Sequence, residues 1–499
     1  MPYGPGVRIA ISLLAVAASC APSSDGAPDA TPSSDDATGV DAAADPSALE
    51  HGLRGEYYRA YHERVLDRVD ATLDFAWGEA ELAPGTGADG VSIRWTGFLE
   101  VPATGAYTLR TSNDDGVRVI VGGEAVIDDW RPHFPETHEA TVTLTAGFVP
   151  ITVEYFEVDL GAELRVSWSS DAIAEQIIPT EHLRAAPAAT DLASVKPPYT
   201  NPVFDSNCPD PGVVRANDLY YMVCTGGRFA IRSSPDLVLW SGTGKQIIPS
   251  GVAPWSANGG RNWAPEIHQV GAKYVAYFTA VNANDVLSIG AASADAPTGP
   301  YADRGSPLVQ HAQGVIDASY FKDTDGKHYL LYKIDGNSVG AATPIYLREL
   351  AANGLSFKAG STAVELIRNA PSTWEGGVVE APWLIKRDGT YYLFYSGNVY
   401  DHRYRTGVAR AASVSGPYTK RGAPILANNS RWVGPGHGSV VTAGDDLYFV
   451  YHAWAAASDG TSAEGGRRVL VDKITWAADG WPRISNGTPS TTLQPWPGE

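Results

Sequence analysis

Five short Tyr-rich segments recur along the second half of this chain, and one ionisable residue precedes each at nearly the same distance. The third residues of these segments are Tyr221, Val275, Tyr329, Tyr392 and Tyr448, separated by 54, 54, 63 and 56 residues. The ionisable residues, which lie 11, 9, 12, 12 and 11 residues upstream, are Asp210, Glu266, Asp317, Glu380 and His437. A period of roughly 40 to 60 residues built from short strands is typical of propeller blades. The shared phase predicts that all five ionisable groups line one central funnel.

The composition favours an all-β chain that binds a neutral polar ligand. Its 499 residues are enough for two or more domains, and 52 Gly and 35 Pro separate short apolar runs. The net charge of −19 argues against nucleic acid, which requires a basic surface, and against anionic membranes. Acidic and aromatic side chains together suit a sugar. We therefore expect a polysaccharide or oligosaccharide as the partner, and no nucleic acid.

Residues 1–20 are typical of an export signal. Arg8 precedes an apolar stretch, residues 9–18, that is too short to span a bilayer. Small residues before Cys20 resemble a bacterial lipoprotein processing site, and ordinary signal cleavage near Ala18 is the alternative. We expect an exported protein, either secreted or held at the bacterial cell surface or outer membrane, whose only membrane contact is a lipid on Cys20. The Ala-, Ser-, Asp- and Pro-rich residues 21–52 predict a disordered acidic linker.

Two further cysteines, Cys208 and Cys224, lie in the first repeat. Their positions are equidistant from the predicted hairpin turn at 216–218, which would place them opposite each other across an antiparallel strand pair. In an oxidising compartment this arrangement predicts a disulfide, and two free buried thiols are the alternative.

Residues 53–184 predict a separate β-rich domain, because short alternating runs recur there between turn residues. The pattern resembles the protective-antigen-type (PA14) β-sandwich. The matching pieces are Leu53–Tyr58, Arg94–Phe98, Asn113–Arg118, Val126–Trp130, Val153–Phe156 and Val166–Trp168. The resemblance implies carbohydrate binding, in some members through calcium held by an Asp pair that matches Asp114 and Asp115. A plain hairpin turn is the alternative for Asp-Asp-Gly. The Ala- and Pro-rich residues 185–198 predict a linker.

Four of the five phased residues are carboxylic acids. Each one taken singly is also explained by a turn, a cap or a solvated surface position. Four in one phase predict converging acids, an arrangement suited to glycoside hydrolysis, where one carboxyl protonates the leaving oxygen and another activates water or attacks directly. Crowding of like charges raises the pKa of at least one such group and keeps it protonated near neutral pH.

Residues 199–499 resemble glycoside hydrolase family 43, five-bladed β-propellers that hydrolyse arabinose- and xylose-containing polysaccharides with inversion. The motifs that carry the resemblance are Cys208–Gly212, Trp263–Glu266, Ile316–Ser319, Asp323–Gly326, Val379–Pro382, Gly434–Ser439 and Asp479–Trp481. The resemblance implies that Asp210 is the general base, that Glu380 is the general acid, and that Asp317 orients and tunes that acid. This chemistry requires no cofactor.

Other residues near these motifs predict substrate binding or a metal. Glu266, Trp263 and Trp383 are candidates for the funnel wall, with a structural role or core packing as the alternative. The resemblance implies a funnel arginine at Arg467 or Arg468, and the choice between them stays open because neighbouring strand residues face opposite sides. The resemblance places His437 near the propeller axis, where arabinan-cleaving members hold calcium; a hydrogen-bonded structural histidine is the alternative.

The expected function is that of a monomeric α-L-arabinofuranosidase or arabinanase, with a β-xylosidase as the alternative within the same class. A non-catalytic glycan-binding propeller is an alternative from another class, and release of arabinose discriminates it. The sucrose- and fructan-cleaving propellers are a third alternative, which retain configuration and so differ in the anomer first released.

Overall fold

The computed structural model describes residues 45–188, 195–459 and 462–498. The predicted export segment with Cys20, and residues 21–44 of the predicted linker, lie outside the described residues. The end of that linker is folded, in contrast to the prediction: Pro46–Ala48 form a 3-10 helix and His51 pairs with Arg184. No helix in the described ranges is both long and apolar enough to cross a bilayer.

The N-terminal domain is a sandwich of two antiparallel sheets, as predicted. Its strands are β1 (Leu53–Arg59), β2 (Glu63–Asp70), β3 (Asp74–Gly78), β4 (Val91–Val101), β5 (Gly105–Asp114), β6 (Val117–Val121), β7 (Glu124–Asp129), β8 (Glu136–Leu144), β9 (Gly147–Glu157), β10 (Ala162–Ser170), β11 (Gln176–Ile177) and β12 (Leu183–Ala185), with a 3-10 helix at Thr180–His182. One sheet has the order β2-β1-β4-β9-β6-β7 with β12 beside β4, and the other has β11-β10-β5-β8 with β3 beside β10. Trp95, Tyr155 and Trp168 are fully buried in the core between them.

Five four-stranded antiparallel sheets follow, which confirms the predicted five-bladed propeller. The blades are β13 (Gly212–Ala216), β14 (Leu219–Val223), β15 (Ala230–Ser234), β16 (Ser241–Gln246); β17 (Trp263–Val270), β18 (Lys273–Val281), β19 (Leu287–Ala294), β20 (Ala302–Asp303); β21 (Val315–Lys322), β22 (His328–Ile334), β23 (Ile345–Leu350), β24 (Val364–Ile367); β25 (Val379–Arg387), β26 (Thr390–Gly397), β27 (Arg405–Ala411), β28 (Thr419–Lys420); and β29 (Trp432–Ala443), β30 (Asp446–Ala456), β31 (Ala463–Trp476), β32 (Pro482–Ile484). A third 3-10 helix covers Gly336–Val339.

The Tyr-rich segments form the second strand of each blade. Because neighbouring residues of a strand face opposite sides, each second strand contributes to two cores, one with the preceding blade and one with the following blade. In β14, for example, Met222 packs with the last blade and Tyr221 packs with the second blade. The repeat visible in the sequence is therefore the repeat of the packing between blades.

The two ends of the propeller meet at the last blade. Strand β32 covers only the far part of β31, and the chain entering the propeller pairs with the rest: Phe204 forms a bridge with Val469, and the Cys208 N–H donates to the Arg467 carbonyl. This pairing closes the ring and leaves no exposed seam between the first and last blades.

The predicted disulfide joins Cys208 and Cys224, but the register differs from the one expected. Strands β13 and β14 pair Gly212 with Val223 and Ala216 with Leu219. Cys208 therefore lies before the first strand rather than within it, and the bond fastens the entering loop to the end of β14.

Candidate active site

A strained backbone position recurs at the start of every blade. Asp210, Ala264, Asp317, Ala381 and His437 all have a positive φ, between 41° and 56°. In the last four blades the strand pairing shifts at this point, the mark of a β-bulge. Left-handed backbone costs energy for any residue other than Gly, so its repetition in all five blades indicates a site that the fold maintains.

This bulge corrects the predicted phase. The five bulge residues lie 11, 11, 12, 11 and 11 positions before the reference residues of the Tyr-rich strands. Asp210, Asp317 and His437 occupy the shared position, as predicted. Glu380 lies one residue before the bulge and Glu266 two residues after it, because the extra bulge residue alters the spacing between a strand and its hairpin partner.

A second ring of polar side chains, not identified from the sequence, supports the bulges. Its members take the seventh position of each Tyr-rich segment: Thr225, Thr279, Lys333, Ser396 and His452. A bulge removes its residue from the ladder and leaves an N–H without a strand partner. The side chains of the ring accept three of these N–H groups, those of Ala264 at 2.7 Å, His437 at 2.9 Å and Asp210 at 3.1 Å. The polar residue at the seventh position of each Tyr-rich segment is the sequence signal from which this ring could have been predicted.

Asp210 lies at the junction between the first and last blades. Its Oδ1 is 2.9 Å from the Arg467 guanidinium and 3.2 Å from His437 Nδ1, and its Oδ2 accepts the Thr225 hydroxyl at 2.5 Å. Burial opposes the charge, but Arg467 and His437 hold the pKa of the Asp210 carboxyl well below its usual range. Asp210 is therefore an ionised acceptor at neutral pH.

Asp317 has the opposite character. It is buried, its Oδ2 accepts the Ala381 N–H at 3.0 Å, and burial together with the nearby charges of Glu380 and Asp210 raises its pKa to about 7. His437 lies between the acids: burial works against its charge, but Asp210 and Asp317 raise the pKa of its imidazole to about 9. The site thus holds one permanent anion beside a carboxyl that takes up a proton near neutral pH.

Glu380 is held through both of its oxygens. Lys333, which is fully buried, donates to Oε2 at 2.8 Å, and the buried Tyr404 hydroxyl donates to Oε1 at 2.8 Å. Lys333 also donates to Asp335 at 3.1 Å. A lysine ammonium only donates hydrogen bonds, whereas a tyrosine oxygen also accepts them. A proton on Glu380 therefore belongs on Oε1, on the side of Tyr404.

The three predicted wall residues, Glu266, Trp263 and Trp383, have different surroundings. Glu266 is buried, and its Oε2 lies 2.6 Å from His268 Nε2. Its ion-pair partner is therefore this histidine, which contacts none of the carboxyl groups of Asp210, Asp317 and Glu380 in the ion pairs described above. Trp263 is half-buried against a small cluster around Val281 and Ile316. Trp383 retains only 9% of its exposed surface and packs in the core between the last two blades. This packing leaves little of its ring to stack on a sugar.

The two arginines face opposite sides, as predicted, and the structure identifies the inner one. Arg467 contacts Asp210 and also lies over the Tyr400 ring, 5.2 Å from its centroid. Arg468 forms an ion pair with the exposed Asp205 on the outside. Arg467 therefore belongs to the site and Arg468 to the closure of the ring.

His437 Nδ1 lies 3.2 Å from Asp210 Oδ1, and calcium near this residue stays a prediction. The N-terminal domain offers a set of oxygen ligands: Asp114, Asp115 and Glu157 are buried with carboxylate oxygens close together. Burial raises the pKa of Asp114 to about 6 and that of Glu157 to about 9, with Asp115 adding to both. Such mutual repulsion fits a site that accepts an oxygen-seeking cation.

Comparisons with known proteins match both domains to known families. The sequence model described as Glycosyl hydrolases family 43 matches residues 199–482, and the model described as PA14 domain matches residues 49–182. A β-D-galactofuranosidase of Aspergillus niger is 31% identical over 274 residues, which cover 50% of this chain and 75% of that protein. An extracellular exo-α-(1→5)-L-arabinofuranosidase of Cellvibrio japonicus is 25% identical over 307 residues, 55% of this chain and 85% of that protein.

Among solved structures, the crystal structure of a thermostable family-43 glycoside hydrolase is similar with a TM-score of 0.54 and 31% identity. It covers 60% of this chain and 99% of that one. A further curated relative matches this chain over only 135 residues, and this match spans 21% of the relative's length.

Proposed function

The chain belongs to glycosyl hydrolase family 43, and on this premise we propose that it hydrolyses α-L-arabinofuranosyl bonds in arabinose- and xylose-containing plant polysaccharides, with inversion. The observation that carries the proposal is the pair of opposed carboxyl states in one site. Asp210 is held as an anion, while burial and the charges of Glu380 and Asp210 raise the pKa of Asp317 to about 7. Acid–base hydrolysis needs one group of each kind.

In this mechanism Asp210 is the general base. Three donors, Arg467, His437 and the Thr225 hydroxyl, keep it ionised and fix its orientation. It accepts a proton from a water molecule, and that water attacks the anomeric carbon on the face opposite the leaving group.

Glu380 is the general acid. Lys333 blocks protonation at Oε2, so the proton that passes to the glycosidic oxygen leaves from Oε1. Tyr404 holds that oxygen in place through its hydroxyl. Asp317, whose pKa is about 7, lies near enough to Glu380 for their charges to interact, and it reduces the net negative charge beside the acid when it is protonated.

The choice of arabinofuranose rests on the Cellvibrio relative, which is an extracellular exo-α-(1→5)-L-arabinofuranosidase. The Aspergillus relative supports a second candidate, β-D-galactofuranosidase activity. The two furanosides share their ring stereochemistry and differ in the exocyclic group, so one pocket can serve either sugar. β-Xylosidase activity is the remaining alternative. A β-D-xylopyranoside, whose sugar ring has six members, tests it.

The test compares chromogenic α-L-arabinofuranoside, β-D-galactofuranoside and β-D-xylopyranoside, together with debranched arabinan, arabinoxylan and xylan. Fastest release from the arabinofuranoside, with the inverted anomer first in proton NMR, supports the proposal. Asp210→Asn, Asp317→Asn and Glu380→Gln should each lower kcat on the order of 10²- to 10⁴-fold, while Asp325→Asn, in an exposed hairpin, should not. Full activity in any of the three variants, or release of the retained anomer, contradicts the assigned roles.

We further propose that the N-terminal domain binds glycan, with calcium held by Asp114, Asp115 and Glu157. The buried acidic trio supports this proposal, because it places three oxygen ligands within reach of one ion. Pull-down of the full chain on insoluble arabinoxylan, with and without a chelator, provides the test. Binding that persists unchanged in Asp114→Asn contradicts it.

We propose that the chain is an exported monomer that is held at the cell surface by a lipid on Cys20. The extracellular relative supports export. Mass analysis of the purified protein, with the Cys20→Ser variant as control, tests for the lipid, and a mature protein that begins elsewhere without a lipid contradicts the anchor.

A further inference from the structure

A second cluster of metal-ligand side chains lies in the N-terminal domain, apart from the acidic trio. It consists of Asp129, at the end of β7, His133, in the following loop, and His138, in β8. The ligand atoms of the three side chains all lie within 4.8 Å of one another. The Nε2 atoms of both histidines are 2.9 Å from the same oxygen, Asp129 Oδ2.

The tautomer of His133 follows from its neighbours. Its Nδ1 is 2.7 Å from the Phe134 carbonyl, which only accepts hydrogen bonds, so Nδ1 carries the proton. In the neutral ring Nε2 then presents a lone pair, and the Asn113 amide, which also donates to the Asp115 carbonyl at 2.6 Å, faces it at 3.3 Å. His133 Nε2 also lies 2.9 Å from Asp129 Oδ2, and the His133 side chain is only 3% exposed.

His138 shows the same deficit. Its Nε2 and Asp129 Oδ2 are both buried, and neither has a hydrogen-bond partner among the described residues despite their separation of 2.9 Å. The contact does not have the alignment of a hydrogen bond, so no proton is shared along it. Two buried polar atoms, Asp129 Oδ2 and His138 Nε2, therefore lack a hydrogen-bond partner among the described residues, and a cation held between them and His133 Nε2 would satisfy both.

The surroundings of the ligands also fit a metal site. Arg131 binds the other oxygen of Asp129 at 2.9 Å, and the Phe134 carbonyl fixes the ring of His133. Metal ligands are commonly oriented by such outer hydrogen bonds. Glu136 Oε2, which is 3.9 Å from His138 Nε2, lies close enough to act as a fourth ligand, although Arg131 also holds it at 2.6 Å.

We propose that Asp129, His133 and His138 bind a divalent transition metal of the zinc class. Two imidazoles and one carboxylate are the donors that zinc prefers, whereas calcium prefers oxygen ligands alone. Zinc ligands at tetrahedral angles are roughly 3.4 Å apart, so the side chains need to separate by only about half an ångström.

The metal would stabilise the loop between β7 and β8. This loop also contains Trp130, which donates to the Lys196 carbonyl at 3.0 Å in the segment that leads into the propeller. The backbone N–H of His133 donates to Asp115 at 2.8 Å. Zinc binding therefore links the position of an acidic-trio residue to the path of the chain between the two domains.

The test is a zinc titration of the full chain, purified without a histidine tag, followed by calorimetry in excess calcium. We expect one zinc ion per chain, and a loss of affinity on the order of 100-fold in His133→Gln and in His138→Gln. His62→Gln, at an exposed histidine of the same domain whose ring lies against the Ala60 carbonyl, should bind zinc like the wild type. Asp114→Asn should also retain zinc, because it belongs to the other cluster.

Thermal unfolding supplies a second measurement that does not depend on activity. Zinc should raise the melting temperature of the wild type and of His62→Gln, and EDTA should reverse the effect. The proposal is overturned if the wild type binds no zinc at micromolar concentration, or if both glutamine variants bind it as tightly as the wild type. Neither outcome bears on the hydrolytic function of the propeller.

Discussion

The Thr225 hydroxyl donates a hydrogen bond to Asp210 at 2.5 Å, and the same oxygen accepts the N–H of Ala264 at 2.7 Å. One side chain thus orients the proposed base and satisfies the bulge of the second blade. The equivalent residue of the next blade is Thr279, whose hydroxyl is buried and has no hydrogen-bond partner among the described residues. Thr279 is therefore a matched control for a substitution at Thr225.

Thr225→Val should lower kcat/KM on the order of 10- to 100-fold, because a hydrogen bond to a charged group contributes about 1.5–3 kcal/mol. Thr279→Val should leave kcat/KM unchanged and the fold as stable or slightly more stable, since it removes an unsatisfied hydroxyl. Steady-state kinetics and urea unfolding of the two variants check this prediction. Equal effects of the two substitutions would show that Thr225 has no special relation to Asp210.

Arg467→Met should change the pH dependence of hydrolysis. Arg467 lowers the pKa of Asp210, so its removal raises that pKa, and the acidic limb of kcat/KM should move to higher pH. The base must be ionised, so activity is lost below the new pKa and recovers above it. The pH profile of Arg468→Met, which alters the neighbouring outward arginine, should keep the wild-type acidic limb. An unmoved limb in Arg467→Met would mean that another group controls it.

Lys333→Met should destabilise the propeller as well as inactivate it. Removal of the ammonium leaves Glu380 and Asp335 as buried groups without their cation, a loss that costs about 3–5 kcal/mol. Lys327→Met, at an exposed pair in the same blade, should change the free energy of unfolding by less than about 1 kcal/mol.

The double variant Lys333→Met/Glu380→Gln provides the decisive comparison for this pair. It should recover part of the lost stability, because it removes one of the two charges left unpaired. If the double variant is less stable than Lys333→Met alone, then Lys333 does not act through Glu380.

Asp472 predicts how stability depends on pH. It is buried in the last blade, accepts from the Tyr451 hydroxyl at 2.6 Å, and has a pKa raised to about 6 by burial. A carboxyl with a raised pKa stabilises the fold fully below its unfolded pKa near 4, and this contribution is lost as the pH rises through 6. A shift of about two units corresponds to about 3 kcal/mol.

Asp472→Asn imitates the protonated form and should remove this dependence. Relative to that variant, the wild-type free energy of unfolding should fall by about 2 kcal/mol between pH 4 and pH 7 in urea titrations. Asp446→Asn, in a partly exposed pair of the same blade, serves as the control. Parallel pH curves for the wild type and Asp472→Asn would contradict the prediction.

The spacing of the Tyr-rich strands was sufficient to predict five blades and to place Asp210, Asp317 and His437 in one phase. The same spacing misplaced Glu380 by one residue and Glu266 by two. The reason is that a bulge inserts a residue, which the spacing along the sequence does not reveal. Lys333 was missed because an isolated lysine in a strand is usually a solvated surface residue. The inward direction of Arg467 shows in its contact with Asp210, which lies 257 positions away in the chain, and no local sequence pattern reveals it.

The closure of the ring also determines when the protein can work. Asp210 belongs to the first blade, while the cations that lower its pKa, His437 and Arg467, belong to the last. The base therefore acquires both cations only after the last blade has been synthesised and has paired with the entering chain. A chain that is truncated before β31 keeps its acids but lacks Arg467, one of the two charges that keep Asp210 ionised. Catalytic turnover is thus a direct assay of whether a molecule is whole.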